Sequence, residues 1–227
     1  IPILILCAVI AGHAIRPVRL ARILAGVTLA VTLLTALAFS NLYRSPHPRI
    51  EASTWLYDRL PAGGTVLTEH WDDALPLRLE GQEDAHGRIT IQQAEVYLPE
   101  TPEKLRKILQ QIDQAQYFVL SSTRASHSLP RMPLRYPVMT RFYESLGDSD
   151  RLPGLKEAAR FHRTPALAGF RIDSLAAEEA YRVYDHPLVR IYEKTPHFSV
   201  ETAYEVLTEG VAFDRIPHIP YREIGRW

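Results

Sequence analysis

Four side chains that could bind a ligand lie within five positions of the segment TEHWDD: Glu69, His70, Asp72 and Asp73. Carboxylate oxygens and imidazole nitrogens can hold a divalent cation or a sugar hydroxyl, and neighbouring carboxylates shift each other's pKa values. The spacing matches no established metal motif, so we predict a ligand-binding cluster without assigning a metal, and a divalent cation remains open. A metal-dependent hydrolase built on these four residues is one reading. A solvated loop, in which Asp72 or Asp73 caps a helix, is the other.

A second polar segment, SSTRASHSLPR, carries Ser121, Ser122 and His127 together with the arginines Arg124 and Arg131. A serine hydrolase would place its nucleophile on a strained turn flanked by glycines, and this segment contains none. The two arginines could instead clamp a phosphate or a carboxylate, such as the phosphate of a lipid-linked sugar donor. They could equally brace the loop, and both readings stay open. A third segment, YDHP, is typical of a turn formed by Asp185 and its neighbours.

The candidate residues follow segments that we predict to be strands. TVLTEHW and AQYFVLSST are short and apolar, and ligands gather at the carboxyl ends of strands in open α/β sheets. Around them we expect helices in RIEASTWLYDRLPAGG, TPEKLRKILQQIDQ, PVMTRFYESLG and SVETAYEVLTEG, and a strand in ITIQQAEVYL. The second of these helices is the clearest, with Thr101 as its cap, Pro102 in its first turn and one apolar face.

The remaining segments are less regular. DDALPLRLEGQEDAHGR predicts a polar loop with one short helical turn, and RASHSLPRMPLRYP predicts a long loop. LKEAARFHRTP predicts a strand with a helical start, and AYRVY and VRIYEK predict a hairpin joined by DHPL. VAFDRIPHIPYREIGRW predicts irregular structure because its prolines interrupt it. Together these elements indicate the α/β class, as a small three-layer-like domain with a mixed sheet.

An apolar stretch precedes this domain. No charged residue lies between Arg22 and Arg44, and the apolar core runs from Ile23 to Ser40. About 20 apolar residues cross the hydrocarbon core of a bilayer, and the stretch lacks the polar face of a soluble amphipathic helix. Residues 1–12 form a shorter apolar run, and the chain begins there without a methionine. We therefore predict two membrane helices in 1–43, the first truncated, and a chain that is a fragment of a longer protein.

The loop between the two apolar runs indicates the orientation. HAIRPVRLAR contains Arg16, Arg19 and Arg22 and no acidic residue, and short basic loops stay on the cytoplasmic side. Ile23–Tyr43 would then cross outward. We predict a multi-pass protein of the inner or plasma membrane, with an extracytoplasmic α/β domain at 44–197 and a helix and proline-broken tail at 198–227 that lead to a missing C-terminal region.

Composition limits the partners. The 227-residue chain has 26 basic and 26 acidic residues, a formal net charge of zero, so charge provides no reason to expect nucleic acid as a partner. Cys7 is the only cysteine, so no disulfide forms within the chain. The lipid bilayer is the partner that the sequence itself indicates.

Three segments carry a resemblance to a known family. They are HPRIEASTWLYDRLPAGGTVLTEHWDDALPL, YFVLSSTRASHSLPRMPLRYPVMTRFYESL and YRVYDHPLVRIYEKT, preceded by the apolar helices. Over about residues 1–197 the chain resembles the C-terminal region of bacterial family 39-type membrane proteins. These are dolichyl-phosphate-mannose–protein mannosyltransferase-like glycosyltransferases of the GT-C type.

The resemblance implies a transferase that takes sugar from a polyprenyl-phosphate donor outside the cytoplasm and passes it to an acceptor. In such enzymes the acidic catalytic residue lies in an early extracytoplasmic loop, which this chain does not contain. The resemblance therefore implies an accessory domain that is inactive alone and has no catalytic residue. We expect no cofactor, with a divalent cation left open as above. The alternative is a non-enzymatic, membrane-anchored binding or sensor domain.

Overall fold

The computed structural model describes Val9, residues 18–148 and residues 150–217 of the chain. The predicted first membrane segment, 1–12, lies outside these residues except for Val9, as does the last part of the proline-broken tail, 218–227. By their internal contacts the residues divide into two units. The helical unit comprises Ile1–His47 and Arg163–Asp185, and the sheet unit comprises Pro48–His162 and His186–Trp227.

The described helices and strands follow one another along the chain. The helices are α1 (Val18–Ser40), α2 (Pro48–Tyr57), α3 (Glu83–His86), α4 (Pro102–Gln114), α5 (Arg124–Ser128), α6 (Pro137–Ser145), α7 (Glu179–Val183) and α8 (Val200–Thr208). The strands are β1 (Thr65–Glu69), β2 (Thr90–Ala94), β3 (Tyr117–Leu120), β4 (Leu155–Phe161), β5 (Ala166–Leu167), β6 (Phe170–Arg171) and β7 (Val189–Lys194). The protein is thus of the mixed α/β class, as predicted.

The sheet unit is built on a five-stranded mixed sheet in the order β2-β1-β3-β7-β4. β1 lies between β2 and β3 and is parallel to both, with Thr65 opposite Thr90 and Val66 opposite Tyr117. β7 is antiparallel to β3 and to β4. Because β1 and β3 are parallel neighbours, the segments that follow their carboxyl ends leave the same edge of the sheet.

Helices cover both faces of this sheet. On one face the buried side chains of α4, α6 and α8 pack in one cluster with Leu67, Phe118 and Tyr192 of the strands. On the other face Ala52 and Leu56 of α2 pack with strand residues from β1, β3 and β7. The alternation of side chains along each strand separates the two clusters, since successive residues point to opposite faces.

Several local predictions are confirmed. Thr101 caps α4, accepting a hydrogen bond from the backbone N–H of Lys104 at 3.1 Å. Gly147 follows α6 with a φ of +83°, a left-handed conformation that glycine adopts freely. Ser199 caps α8 by accepting from the N–H of Thr202. The capping box is incomplete, because Thr202 stands where the motif requires Glu or Gln.

Three local predictions are wrong. The predicted strand AYRVY is the helix α7, whose first turn is capped by the Glu178 side chain accepting from the N–H of Ala180. VRIYEK is a strand, but it pairs with β3 and β4 and not with AYRVY. The predicted loop RASHSLPR begins with α5, and LKEAARF is a strand along its whole length, without a helical start.

The helical unit is dominated by α1. Among the described residues, one helix is apolar and long enough to cross a membrane by length and composition. Of the 18 residues in its most apolar stretch, only 6% are buried. The unit also contains a two-stranded sheet of β5 and β6, which the sequence did not predict, and the short helix α7.

Candidate functional site

The carboxyl ends of β1 and β3 bring the two predicted polar segments together. β1 ends at Glu69 and is followed by the rest of TEHWDD, and β3 ends at Leu120 and is followed by SSTRAS. The hydroxyl of Ser122 donates a hydrogen bond to Oδ2 of Asp72. Nη1 of Arg124 donates to the carbonyl oxygen of Trp71 at 3.0 Å. The two clusters therefore form one polar group at this edge of the sheet.

Arg49 completes this group, and sequence reasoning missed it. Its Nη2 lies 2.7 Å from Oδ1 of Asp72, and its Nη1 lies 2.9 Å from Oδ2 of Asp73. Its Nε donates to the carbonyl oxygen of Ser121 at 3.1 Å. Arg49 stands in the first turn of α2, and no spacing pattern links it to Asp72 in the sequence. Its guanidinium joins α2 to the loops that follow β1 and β3.

Asp72 is held as a structural acceptor. Its side chain is 6% exposed, and besides Arg49 and Ser122 it accepts from the backbone N–H of Asp73 at 2.9 Å. The expectation that Asp72 or Asp73 caps a helix is wrong, because the first helix after β1 begins at Glu83. The charge of Asp72 is instead compensated by Arg49, which removes much of the cost of burying it. Asp73 is the exposed partner of the pair, with 61% of its side chain accessible.

Glu69 faces the other side of the sheet. It follows Leu67 by two residues, so both side chains point to the face covered by α4, α6 and α8. It is 1% exposed, and the hydroxyl of Tyr143 on α6 donates a hydrogen bond to its Oε1. Burial raises the pKa of Glu69 to about 8, opposed by the Tyr143 hydrogen bond and aided by the negative charge of Asp72. Glu69 is therefore mostly protonated at neutral pH and stands apart from the two aspartates.

A second buried polar cluster holds α6 in place. Oε1 of Glu100 lies 2.7 Å from Nζ of Lys104, and its Oε2 accepts from the backbone N–H groups of Val138 and Met139. Lys104 also donates to the carbonyl oxygen of Leu98 at 2.8 Å. Burial lowers the pKa of Lys104, and the charge of Glu100 opposes that shift. Since a carboxylate at a helix N-terminus satisfies free N–H groups, Glu100 fixes the helix that carries Tyr143.

The remaining predicted site residues are less engaged. The backbone N–H of His70 donates to the carbonyl oxygen of Ala94 at 3.0 Å, and its ring packs edge-on against Trp71. Arg131 is exposed at the end of a 3-10 turn that follows α5. Within the described part of the chain, no hydrogen bond or ion pair joins Arg131 to Arg49 or Asp72. The structure thus brings Asp72, Asp73 and Arg124 together and leaves the other three candidates outside that group.

The donor set for a metal ion is not assembled among the residues described. In residues 18–148 and 150–217 no three His, Cys, Asp or Glu side chains are grouped so as to hold an ion. Glu69 and Asp72, both members of the predicted cluster, engage Tyr143 on one face and Arg49 on the other. A divalent cation at this edge stays a prediction.

The sheet order and the helices on both faces define a mixed α/β protein. Comparison of the chain with family models, with curated proteins and with solved structures found no match.

Proposed function

We propose that this chain is the membrane-anchored, accessory part of a bacterial GT-C-type glycosyltransferase, which transfers sugar from a polyprenyl-phosphate donor outside the cytoplasm. In this proposal α1 spans the bilayer and the sheet unit lies on the extracytoplasmic side. The proposed membrane anchor is supported by the exposed apolar surface of α1. The proposed type of enzyme is supported by the family resemblance of the sequence.

The dimensions of α1 suit a bilayer. Its 23 residues extend about 34 Å at the usual helical rise, and the hydrocarbon core is about 30 Å thick. Its large exposed side chains cover most of the helix circumference: Leu20, Ile23, Leu24, Val27, Leu29, Val31, Leu33, Leu34 and Leu37. The remaining stripe consists of buried or half-buried residues: Ala21, Ala25, Thr28, Thr32, Ala36 and Phe39. In water such a surface would be costly, since apolar area contributes about 25 cal/mol per Å² when buried.

Three hydroxyls of α1 are hydrogen-bonded within the helix. The hydroxyls of Thr28, Thr35 and Ser40 donate to the carbonyl oxygens four residues earlier, at 2.8–2.9 Å. A helical hydroxyl bonded in this way is compatible with hydrocarbon, where polar groups must be satisfied internally. This local bonding is compatible with lipid as the surroundings of the helix.

The polar group at the sheet edge supports an accessory role. Arg49 and Asp72 neutralise each other across three chain segments, and Glu69 is kept neutral by burial. Groups engaged in this way hold loops in position. We therefore assign them a bracing role, and we place sugar transfer in the membrane part of the intact enzyme.

A non-enzymatic binding or sensor domain is the second candidate. The same paired charges favour it, because they shape a defined edge without supplying a free acid or base. The exposed Asp73 and the half-buried Arg124 are the charged candidates at that edge. They would be the residues that meet a ligand.

The decisive experiment uses the intact gene product reconstituted in lipid nanodiscs with polyprenyl-phosphate-linked sugars. Release of polyprenyl phosphate, together with sugar on an acceptor, is the result that the proposal expects. Saturable binding of sugar without release would favour the sensor domain. If neither release nor binding is observed, the glycosyltransferase proposal is wrong. A phosphatase reporter fused after Pro48 tests the orientation independently, since it is active only outside the cytoplasm.

A further inference from the structure

The helical unit contains a small hairpin with an apolar end. β5 and β6 pair in antiparallel register, with Ala166 opposite Arg171 and Leu167 opposite Phe170. The two turn residues, Ala168 and Gly169, both have positive φ, at +49° and +89°. Two-residue hairpin turns of this kind usually carry Asn or Asp before the glycine. The alanine here keeps the tip free of polar side chains, although its conformation is disfavoured for alanine.

This hairpin lies along the C-terminal half of α1. A groove of about 400 Å³ separates the two elements, and the helix lines it with Val31, Leu34, Thr35 and Ala38. These four positions follow the i, i+3, i+4, i+7 spacing of one helix face. The hairpin side is formed by Leu167, Ala168, Phe170 and Ile172. Both walls are therefore almost entirely apolar.

The hairpin points back toward the middle of α1. Its base is fixed beyond the end of the helix, where Nε of Arg163 donates to the carbonyl oxygen of Pro46 at 3.0 Å. The groove reaches Val31, which precedes Ser40 by nine residues. That is a distance of about 13 Å along the helix axis. If Ser40 marks the outer boundary of the hydrocarbon, the groove lies within the outer half of the bilayer, which is about 15 Å deep.

Aromatic side chains gather at the level of that boundary. The ring of Phe39 packs against Tyr181 at 5.4 Å and against Tyr43 at 6.1 Å. The hydroxyl of Tyr43 donates to Oδ1 of Asp185 at 2.7 Å, and Tyr184 is exposed. Tyrosines with an apolar body and a polar tip concentrate at membrane–water interfaces. Their position agrees with a boundary near the end of α1.

We propose that the hairpin Ala166–Arg171 is immersed in the outer leaflet beside α1, and that phospholipid acyl chains fill the groove between them. The proposal rests on the proposed membrane span of α1. Phe170 is 81% exposed and Ile172 is exposed beside it, so the apolar surface of the helix continues onto the hairpin. Arg171 pairs with Ala166 toward the base of the hairpin, where its long side chain can reach the headgroups. In this proposal the chain is anchored in the membrane by the helix α1 and by the inserted hairpin.

Acyl chains suit this groove better than another protein would. The groove is open, and its walls carry one hydroxyl and no charge to orient a partner. That hydroxyl, on Thr35, already donates to the carbonyl oxygen of Val31 at 2.8 Å. A second copy of the chain, or another helix of the intact protein, would exclude lipid from the groove. Both are outcomes that the experiment below can detect.

The experiment measures the depth of labelled cysteines in the intact protein. In a Cys7→Ser background, with any other cysteine of the intact protein also replaced, Phe170→Cys is labelled with a polarity-sensitive fluorophore and reconstituted in phosphatidylcholine vesicles. Leu29→Cys, at the centre of α1, is the matched deep site. Leu134→Cys, on an 83% exposed residue of the sheet unit, is the aqueous site. Lipids with nitroxides at the headgroup, high on the acyl chain or near its end serve as quenchers, and iodide reports water.

We expect the label at Phe170 to be quenched most by the nitroxide high on the acyl chain, roughly twofold more than the label at Leu134, as for side chains that enter the headgroup–acyl boundary. The label at Leu29 should be quenched most by the nitroxide near the chain end. Ile172→Cys repeats the measurement if the label at Phe170 disturbs folding.

Each of the other possible quenching results would overturn a different part of the proposal. A label at Phe170 that iodide quenches, with Leu29 still deep, overturns the hairpin insertion and leaves the span intact. A label at Leu29 that iodide quenches overturns the proposed membrane anchor itself. A label at Phe170 shielded from both lipid and iodide places protein in the groove and overturns the lipid assignment.

Discussion

The two units distribute their apolar side chains in opposite ways. In the sheet unit the large apolar residues are buried in two clusters, one on each face of the sheet. In the helical unit most of the large apolar residues along α1 are exposed. One solvent does not favour both arrangements, because burial of apolar area is favourable only against water. We infer from this difference that the sheet unit is adapted to water and the helical unit to lipid.

The largest expected effect is the loss of stability when the buried ion pair between Arg49 and Asp72 is broken. Replacing Arg49 by alanine leaves Asp72 buried without its partner, and loss of one member of a buried pair costs about 3–5 kcal/mol. The measurement is the free energy of unfolding by urea, with the protein in detergent. Asp73→Ala is the matched control, because it removes the exposed contact of the same guanidinium and should cost less than about 1 kcal/mol.

A combined variant separates lost packing from an unpaired charge. Arg49→Met with Asp72→Leu removes both charges and should recover much of the stability that Arg49→Ala loses. Equal losses for Arg49→Ala and Asp73→Ala would show that the buried pair does not brace the sheet edge.

The next largest effect tests the helical unit directly. Leu29 is exposed at the centre of α1, and a charge there costs about 2.5–3.5 kcal/mol on the membrane-insertion scale. In a chain shortened to residues 18–227, for which α1 is the one predicted span, Leu29→Arg should therefore release a large fraction of the protein from membranes during alkaline carbonate extraction, whereas Leu29→Ile should not. On the surface of a helix in water the same change would be nearly neutral. Retention of the arginine variant in the membrane would contradict the difference between the units.

The third effect is smaller when counted per pH unit, and it depends on Glu69. Its folded pKa is raised above the ordinary value of 4.5 to about 8, so the folded state holds a proton that the unfolded state releases. Stability should fall as pH rises through that window, by at most about 1.4 kcal/mol per pH unit. Glu69→Gln keeps an acceptor for Tyr143 and should remove this slope, while the exposed Glu80→Gln should leave it unchanged. Unfolding free energies at several pH values from 5 to 9 measure the slope, and equal slopes in all three proteins would refute the assignment.

The smallest effect is expected for isoleucine-to-valine substitutions, made at one position in each unit. Ile108 is buried in α4, and Ile108→Val should cost about 1 kcal/mol of unfolding free energy. Ile23 is 62% exposed on α1, and Ile23→Val should cost less than about 0.5 kcal/mol. A comparable cost at both positions would mean that protein packs around Ile23 in the intact molecule.

The sequence predicted best where a local pattern and the final packing agree. α4 has a capping residue, a proline in its first turn and an apolar stripe, and the cluster it joins needs that stripe. The segment AYRVY fits a strand by alternation, yet Glu178 starts a helix there and β7 finds its partners in β3 and β4. Strand pairing is decided by distant segments, which a local pattern does not contain.

The candidate site shows the same limit. The sequence predicted that TEHWDD follows one strand and SSTRAS another, and the structure shows that both strands end at the same edge of the sheet. The sequence could not show that Glu69 and Asp72 engage partners on different faces, or that Arg49, 23 residues before Asp72, would neutralise it. Those properties depend on which helix covers which face, and the short apolar strands suit either arrangement.

The most direct test of the central claim is a spin-label scan along α1 in reconstituted membranes. Labels at Ile23, Leu24, Val27, Leu29 and Leu33 sample different sides of the helix, and each reports its access to oxygen and to a water-soluble nickel chelate. We predict that oxygen access exceeds nickel access at every position and is greatest near Leu29. Nickel access that rises and falls with the 3.6-residue helical period would reveal a water-facing side of α1 and contradict the account.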